Sequence, residues 1–271
     1  MLKSDPGCKA SAEEDAMIKD VFMLHSADLP NELPAFERFY MRYHAPEVMS
    51  NRGPLIVRFI GYRPLPVIPE ALDYGYYNQR VTETWFRSAE ERPYMVVGKP
   101  SGILNYRWQA PWAKESAQRQ AGGVPGVSLT VTTPPPDVFL GGKYTADEKT
   151  IIRWYTITKY PKGISLEEGE DWFLNTHVKE TLQQPGLTAY FSSRAIDMPG
   201  RPATWVRLTE LWYENFYGWK DSVIDHPPSY SKPKWAKYDK YPFLEPYVDF
   251  ASTFLMERPD HDYLREASPY P

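Results

Sequence analysis

Ile18-Lys19-Asp20-Val21-Phe22-Met23-Leu24 is matched, 133 positions later, by Ile151-Ile152-Arg153-Trp154-Tyr155-Thr156-Ile157. Both stretches are apolar, rich in β-branched and aromatic side chains, and without a helical period, so each reads as a strand. The same spacing carries Phe39-Tyr40 onto Trp172-Phe173, His44 onto His177 and Gly53 onto Gly186. Further on, Thr82-Glu83-Thr84-Trp85-Phe86 matches Thr209-Glu210-Leu211-Trp212-Tyr213 at a spacing of 127. The shorter spacing places a longer loop in the first copy. Matches in one common order mark an internal repeat.

Each copy has a readable anatomy. Phe36, Phe39, Tyr40 and Tyr43 fall at i, i+3, i+4 and i+7, one face of a helix over 33–45. Ser165 and Glu168 have capping-box spacing at the start of its counterpart. Residues 54–62 and 187–195 read as second strands entered through a glycine. Residues 79–86 and 206–213 read as third strands, and 127–133 and 248–257 as closing strands. Weaker helical signals lie over 109–121 and 216–224. Strand, helix, strand, strand, weak helix, strand, repeated twice, is the split β-α-β pattern. Its sheet has helices on one face and needs cover on the other, which a second copy supplies. The expected fold is α+β: two tandem ferredoxin-like (βαββαβ) repeats packed sheet to sheet as an α+β barrel. The expected boundaries are an N-terminal tail 1–16, a first repeat 17–140, a second repeat 141–259 and a C-terminal tail 260–271.

The chain is long enough, at 271 residues, to bury a core without staples, and its one cysteine, Cys8, permits no intramolecular disulfide. A formal charge of −4 gives no electrostatic footprint for nucleic acid. No apolar run approaches a membrane span, and the first twenty residues have no signal-peptide pattern. A cytoplasmic protein with neither nucleic-acid nor membrane partners is expected. Aromatics make up 15% of the residues, and prolines number 27, about twice the usual share. They suit ordered loops around packed elements, and either a flat unsaturated ligand or simply a large core.

Phe39-Tyr40-Met41-Arg42-Tyr43-His44-Ala45-Pro46 resembles the helix of the EthD-like branch of the dimeric α+β barrel superfamily, which ends in an aromatic, a His, a small residue and a Pro. Trp172-Phe173-Leu174-Asn175-Thr176-His177-Val178 is a partial second version without the Pro. Thr82-Glu83-Thr84-Trp85-Phe86 and Thr209-Glu210-Leu211-Trp212-Tyr213 resemble the family's acidic-aromatic third strand. The resemblance covers about 17–90 and 150–220. It implies an enzyme among cyclases, dehydratases, isomerases, decarboxylases and monooxygenases, many acting on aromatic substrates without a cofactor, and a homodimer. The chain departs from the single-copy pattern in being doubled and in its insertions at 87–126 and 225–247. Trp108 is among the rings of the first insertion, which either roof a cleft or face a partner subunit.

Motifs for dinucleotides, P-loop nucleotides, serine hydrolases and zincins are missing from the sequence, and the five histidines are scattered, so no cofactor and no metal are expected. His44 leads the candidates, its helix ended by Pro46. It shares a helix face with Tyr40, and an imidazole can take a proton at neutral pH while Tyr40 or Tyr43 steadies an oxyanion. Otherwise it bonds the last carbonyls of its helix. Glu83 is either a buried acid of raised pKa or, since Glu210 repeats it, half of a structural pairing. Arg58 and Tyr62 share one strand face; Arg58 either holds a substrate carboxylate or pairs within the protein. His25, His177, Tyr190 and Trp108 complete the expected substrate-binding set. The resulting expectation is a cofactor-independent lyase or isomerase for a bulky phenolic or polycyclic compound. It would act by His acid/base chemistry, through dehydration, decarboxylation, retro-aldol loss of formaldehyde or ring closure. A haem- or oxygen-dependent monooxygenase and a non-enzymatic aromatic-ligand-binding protein are the alternatives.

Overall fold

The computed structural model describes residues 17–25, 34, 37, 38, 40–52, 56–66, 68–76, 79–90, 127–141, 151–198, 202–256 and 258–264. The first sheet contains β1 (Ile18–His25), β2 (Arg58–Tyr62), β3 (Gln79–Phe86) and β4 (Val127–Thr133). The second contains β5 (Asp137–Leu140), β6 (Ile152–Thr158), β7 (Leu187–Arg194), β8 (Arg207–Tyr213) and β9 (Phe250–Met256). A last strand, β10 (His261–Leu264), returns to the first sheet. The orders are β10-β2-β3-β1-β4 and β5-β7-β8-β6-β9, so each half has the same four-strand core. This is the ferredoxin-like arrangement the sequence pattern predicts.

Each sheet gains its fifth strand from outside its own four. Residues 261–264, assigned on sequence grounds to a tail, pair with β2; residues 137–140, assigned to the first repeat, pair with β7. Both additions cover an edge that would otherwise offer unpaired backbone groups.

The two halves correspond at a register that differs from the sequence match by one residue. Lys19 lies opposite Trp85 and Val21 opposite Glu83, while Arg153 lies opposite Trp212 and Tyr155 opposite Glu210. Lys19 is therefore the counterpart of Arg153, 134 positions on, whereas the spacing of 133 set it against Ile152. A one-residue slip exchanges the two faces of a strand. These strands are covered on both sides and read as continuous apolar runs, so their pattern alone does not fix which residues point inward.

Between the sheets, Val21, Met23, Ile60, Val81 and Trp85 pack on Tyr155, Ile157, Leu208, Ala251 and Leu255. Helices and loops cover the outer faces. Tyr40, Ala45 and Met49 lie on Ile18, Phe59 and Phe86 of the first sheet. Trp172, Phe173, Val178 and Trp219 lie on Trp154, Tyr190, Tyr213 and Phe254 of the second.

The helix over 33–45 does not end before Pro46. A π-turn, Tyr40–His44, runs directly into an α-helix, Ala45–Arg52, that contains the proline. Proline is tolerated in the first turn of an α-helical segment, where its missing N–H is not needed. The second copy repeats the device: Phe173–His177 is a π-turn, and the Val178 N–H bonds the Phe173 carbonyl. Its helix starts as the capping-box spacing predicts, with the Ser165 hydroxyl accepting from the Glu168 N–H at 3.1 Å. Gly186 leads into β7 because the turn passes against the next helix. A Cβ there would lie 2.7 Å from both the Gly218 carbonyl oxygen and Ser222 Oγ. The signal at 216–224 corresponds to the helix Phe216–Lys220 and the π-turn Asp221–Asp225. The signal at 109–121 lies outside the described residues.

Four charges are shut between the sheets. Lys19 Nζ lies 3.4 Å from Glu83 Oε1 and 3.5 Å from Glu210 Oε1, and Arg153 Nη2 lies 2.7 Å from Glu210 Oε2 and 3.7 Å from Glu83 Oε1. Removing one member leaves a buried charge short of its partner, which costs about 3–5 kcal/mol; replacing a whole pair with apolar residues costs far less. Glu210→Gln is therefore expected to lower the unfolding free energy by about that amount in urea titration. Arg153→Met combined with Glu210→Leu should be the milder change. A double variant more damaged than the single one would contradict this account.

Candidate functional site

The outer faces of the two sheets are built on one plan. In the first half Arg80 of β3 reaches the helix, where its Nη2 bonds Glu37 Oε2 at 2.9 Å and its guanidinium lies 4.1 Å from the centre of the Tyr40 ring. In the second, Arg207 of β8 bonds both oxygens of Glu170 at 2.9 and 2.7 Å and lies 4.4 Å from the Phe173 ring. Glu37 and Glu170 are 133 apart, and Arg80 and Arg207 are 127 apart, the spacings of the repeat. A planar guanidinium joins carboxylate and ring better than an ammonium does. None of these four residues was an expected site residue, although the two spacings would have found them.

The faces differ in what the clamp surrounds. The Tyr40 hydroxyl lies 2.6 Å from Thr82 Oγ1 and 3.4 Å from Nε2 of His261, on β10. Burial pushes the Tyr40 phenol well above the usual tyrosine range, against the opposing pull of Arg80 and the Thr82 hydrogen bond. The phenol therefore remains a proton donor at neutral pH. In the second half Phe173 has no hydroxyl, and Thr209 turns to Ser192 Oγ at 2.9 Å.

The second outer face is filled by its own rings. Trp154 packs edge-on against Trp219 and Phe250 and stacks on Phe254. Beside them a cleft lined by Trp154, Trp172, Phe173, His177, Tyr241 and Phe250 has room for little more than a water molecule. Drug-sized ligands need several hundred Å³, and a haem macrocycle does not fit this cleft. His177 lies in it between Phe173 and Tyr241, ring centres 5.2 Å from each, and neither ring nitrogen hydrogen-bonds a described residue. Burial, and then Arg207, lower its pKa to about 3, so the imidazole is neutral.

The remaining expected residues fall in different places. Glu83 and Tyr62 face the space between the sheets, because strand alternation sends odd positions of β3 inward while Thr82 takes the outer face. Glu83 accepts from the Tyr155 hydroxyl at 3.1 Å, and Tyr62 lies under the Arg153 guanidinium at 4.5 Å. Burial raises the Tyr62 phenol to about 12. The counterpart of Glu83 on the third strand of the second half, Glu210 on β8, does not have the raised pKa expected of a buried third-strand carboxyl. Burial alone would push its pKa up, but Arg153 and Lys19 outweigh burial and hold it low. Arg58 is engaged by Asp262 of β10, with Nη2 to Oδ2 at 2.5 Å and Nε to Oδ1 at 3.1 Å. Tyr190 is buried on the second outer face against Phe139. The side chains of His25, Tyr43 and His44 lie outside the described residues, though their backbones lie in β1 and the π-turn; Trp108 lies wholly outside. No helix of the described residues is long and apolar enough to cross a membrane.

Comparison with known proteins places the chain in this fold. Residues 17–100 match the family model of the chalcone isomerase N-terminal domain, less than half of the chain. No curated protein matches the sequence. Among solved structures, an anthrone oxidase-like protein is similar with a TM-score of 0.50 and 9% identity, over 94% of each chain. A mutant chlorite dismutase from Candidatus Nitrospira defluvii is similar with a TM-score of 0.45 and 7% identity, over 90% of this chain and 91% of that one. The two antiparallel sheets with helices on their outer faces make this an α+β fold, and at 9% identity the likeness to the first of these structures is one of fold alone.

His177 generates a prediction for stability. Its folded pKa lies below the unfolded value near 6.5, so the unfolded chain binds the proton first as pH falls. The stability it contributes is complete above about pH 6.5 and is lost progressively toward pH 3. Between pH 7 and 5 wild type should lose about 2 kcal/mol more than His177→Phe, read from denaturation midpoints. Identical pH dependence in the two proteins would remove this assignment.

Proposed function

We propose that the protein is a cofactor-independent isomerase or lyase for a bulky phenolic compound, working by acid–base chemistry at the outer face of the first sheet. His44 is the base, and Tyr40 and Tyr43 supply phenols to the developing oxyanion. The observation that carries this reading is the asymmetry of the two outer faces. One plan of helix, strand and guanidinium clamp serves both, but in the second the clamped ring is Phe173, without a hydroxyl, and indole, phenyl and phenol rings close the cleft around a neutral imidazole to little more than the size of a water molecule. The first gathers the Tyr40 phenol, the Thr82 hydroxyl and the His261 imidazole beside its arginine. The family likeness falls on that same half and carries the name of a chalcone isomerase. Isomerisation of a phenolic aryl ketone is therefore the favoured reaction, ahead of dehydration, decarboxylation and retro-aldol cleavage.

The two halves are read as fused copies of one EthD-like unit, which the shared Glu–Arg–ring clamp supports. The barrel is assembled within one chain, so a homodimer would add a partner without being needed to cover either sheet. Arg58 is left out of the working site because Asp262 already fills its guanidinium.

The test is incubation with a panel of phenolic aryl ketones and polycyclic phenols, followed by chromatography and mass measurement. Isomerisation yields a new peak of unchanged mass; the lyase reactions show loss of water, carbon dioxide or formaldehyde. His44→Gln is expected to reduce turnover by about 10² or more, and His177→Phe to leave it. Equal loss in the two variants, or an unaffected His44→Gln, would sink the assignment.

A further inference from the structure

The C-terminal strand brings an imidazole to the first outer face. His261 lies opposite Gly61 in the β10–β2 ladder, and its ring rests on that glycine, where a Cβ would come 1.8 Å from Cε1. Tyr40, Phe59 and Tyr263 surround it, ring centres 5.4, 5.4 and 5.3 Å away. On one side Nε2 is 3.4 Å from the Tyr40 hydroxyl. On the other, Nδ1 is buried and makes no hydrogen bond to a described residue; Asp260 Oδ1 stands 3.4 Å away, outside hydrogen-bond geometry. Asp260 is itself held by Arg80, and Arg63 reaches both it and Glu37, at 3.8 and 3.1 Å.

We propose that Asp260, His261 and Tyr40 form a proton-sharing chain, so that the C-terminal strand completes the first-half site. The inference rests on the reading above that this face is the working one. In this chain Tyr40 keeps its proton, as its part toward the oxyanion requires: the Asp260 carboxylate faces His261 Nδ1–H and so selects one imidazole tautomer, and the lone pair left on Nε2 directs the Tyr40 O–H beside the Thr82 hydroxyl. The chain runs from a phenol residue 1% exposed to a carboxylate side chain 22% exposed, a route from the buried face toward water. A reacting group, a base and an orienting carboxylate is the general logic of activated side chains, and such contacts are looser before substrate binds. His261 acts through Tyr40 and is a positioning residue.

The test uses the full chain with isotope-labelled histidine, His261→Gln supplying the assignment. The expected result by NMR is a neutral His261 protonated at Nδ1, with an Nε2 resonance that moves in Tyr40→Phe. Gly61→Ala, whose Cβ takes the place of the ring, should abolish that dependence. A proton on Nε2, or an Nε2 resonance indifferent to Tyr40→Phe, overturns the chain. On any phenolic compound that wild type converts, His261→Gln should lower kcat by about 10² with little change in KM, at unchanged thermal stability. Wild-type kcat in that variant overturns the positioning role. If wild type converts none of the compounds, the functional reading of the preceding subsection falls, while the resonance measurements still decide whether the chain exists.

Discussion

Two positive and two negative side chains sealed between two sheets set the terms for the whole molecule. Lys19 and Glu83 come from one sheet, Arg153 and Glu210 from the other, and each carboxylate is shared across the interface. A buried charge without its partner is far more costly than a misplaced methyl group, so the sheets face each other in the one register that pairs all four. The surroundings reinforce this. The Arg153 guanidinium lies over Tyr62 and near Trp212, and Lys19 lies over Trp85, so the cations meet ring faces wherever they do not meet carboxylates.

On the outer faces a shared clamp has been put to two ends. Glu37 with Arg80 and Glu170 with Arg207 tie each helix to the third strand of its sheet, and each guanidinium covers an aromatic ring of the π-turn. In the second half that ring is a phenylalanine and its surroundings close into a packed cluster of tryptophans, phenylalanines and tyrosines. In the first half it is a tyrosine, and the added hydroxyl finds both a threonine and an imidazole. At the clamped ring itself the two faces differ by one oxygen atom, which makes a hydrogen bond in the first half and has no counterpart in the second.

Much of this was legible in the sequence. The repeat, its strands and the cap at Ser165 follow from local pattern, and the occurrence of Glu83 and Glu210 at equivalent positions pointed to the structural pairing that the inner face contains. Other features were not legible for stated reasons. The strand register escaped by one residue because a run apolar on both faces carries no alternation. Pro46 read as a helix stop, but the preceding π-turn restarts the helix with the proline in its first turn. Arg58 offered two partners on paper, and the choice fell to Asp262, a residue 204 positions away that sequence reading left in a tail.

The sequence by itself determined that this chain folds as two similar sheet-and-helix units, because periodicity and capping are local properties and repeat wherever the residues do. Tertiary structure alone decided which side chains share a face and which strand closes each sheet. A pleated strand sends neighbouring residues to opposite sides, so Glu83 and Thr82, adjacent in the chain, end in different environments. The return of β10 to the first sheet puts His261 beside Tyr40 across 221 residues, a contact set by ladder hydrogen bonds and the absence of a side chain at Gly61 rather than by any pattern readable along the chain.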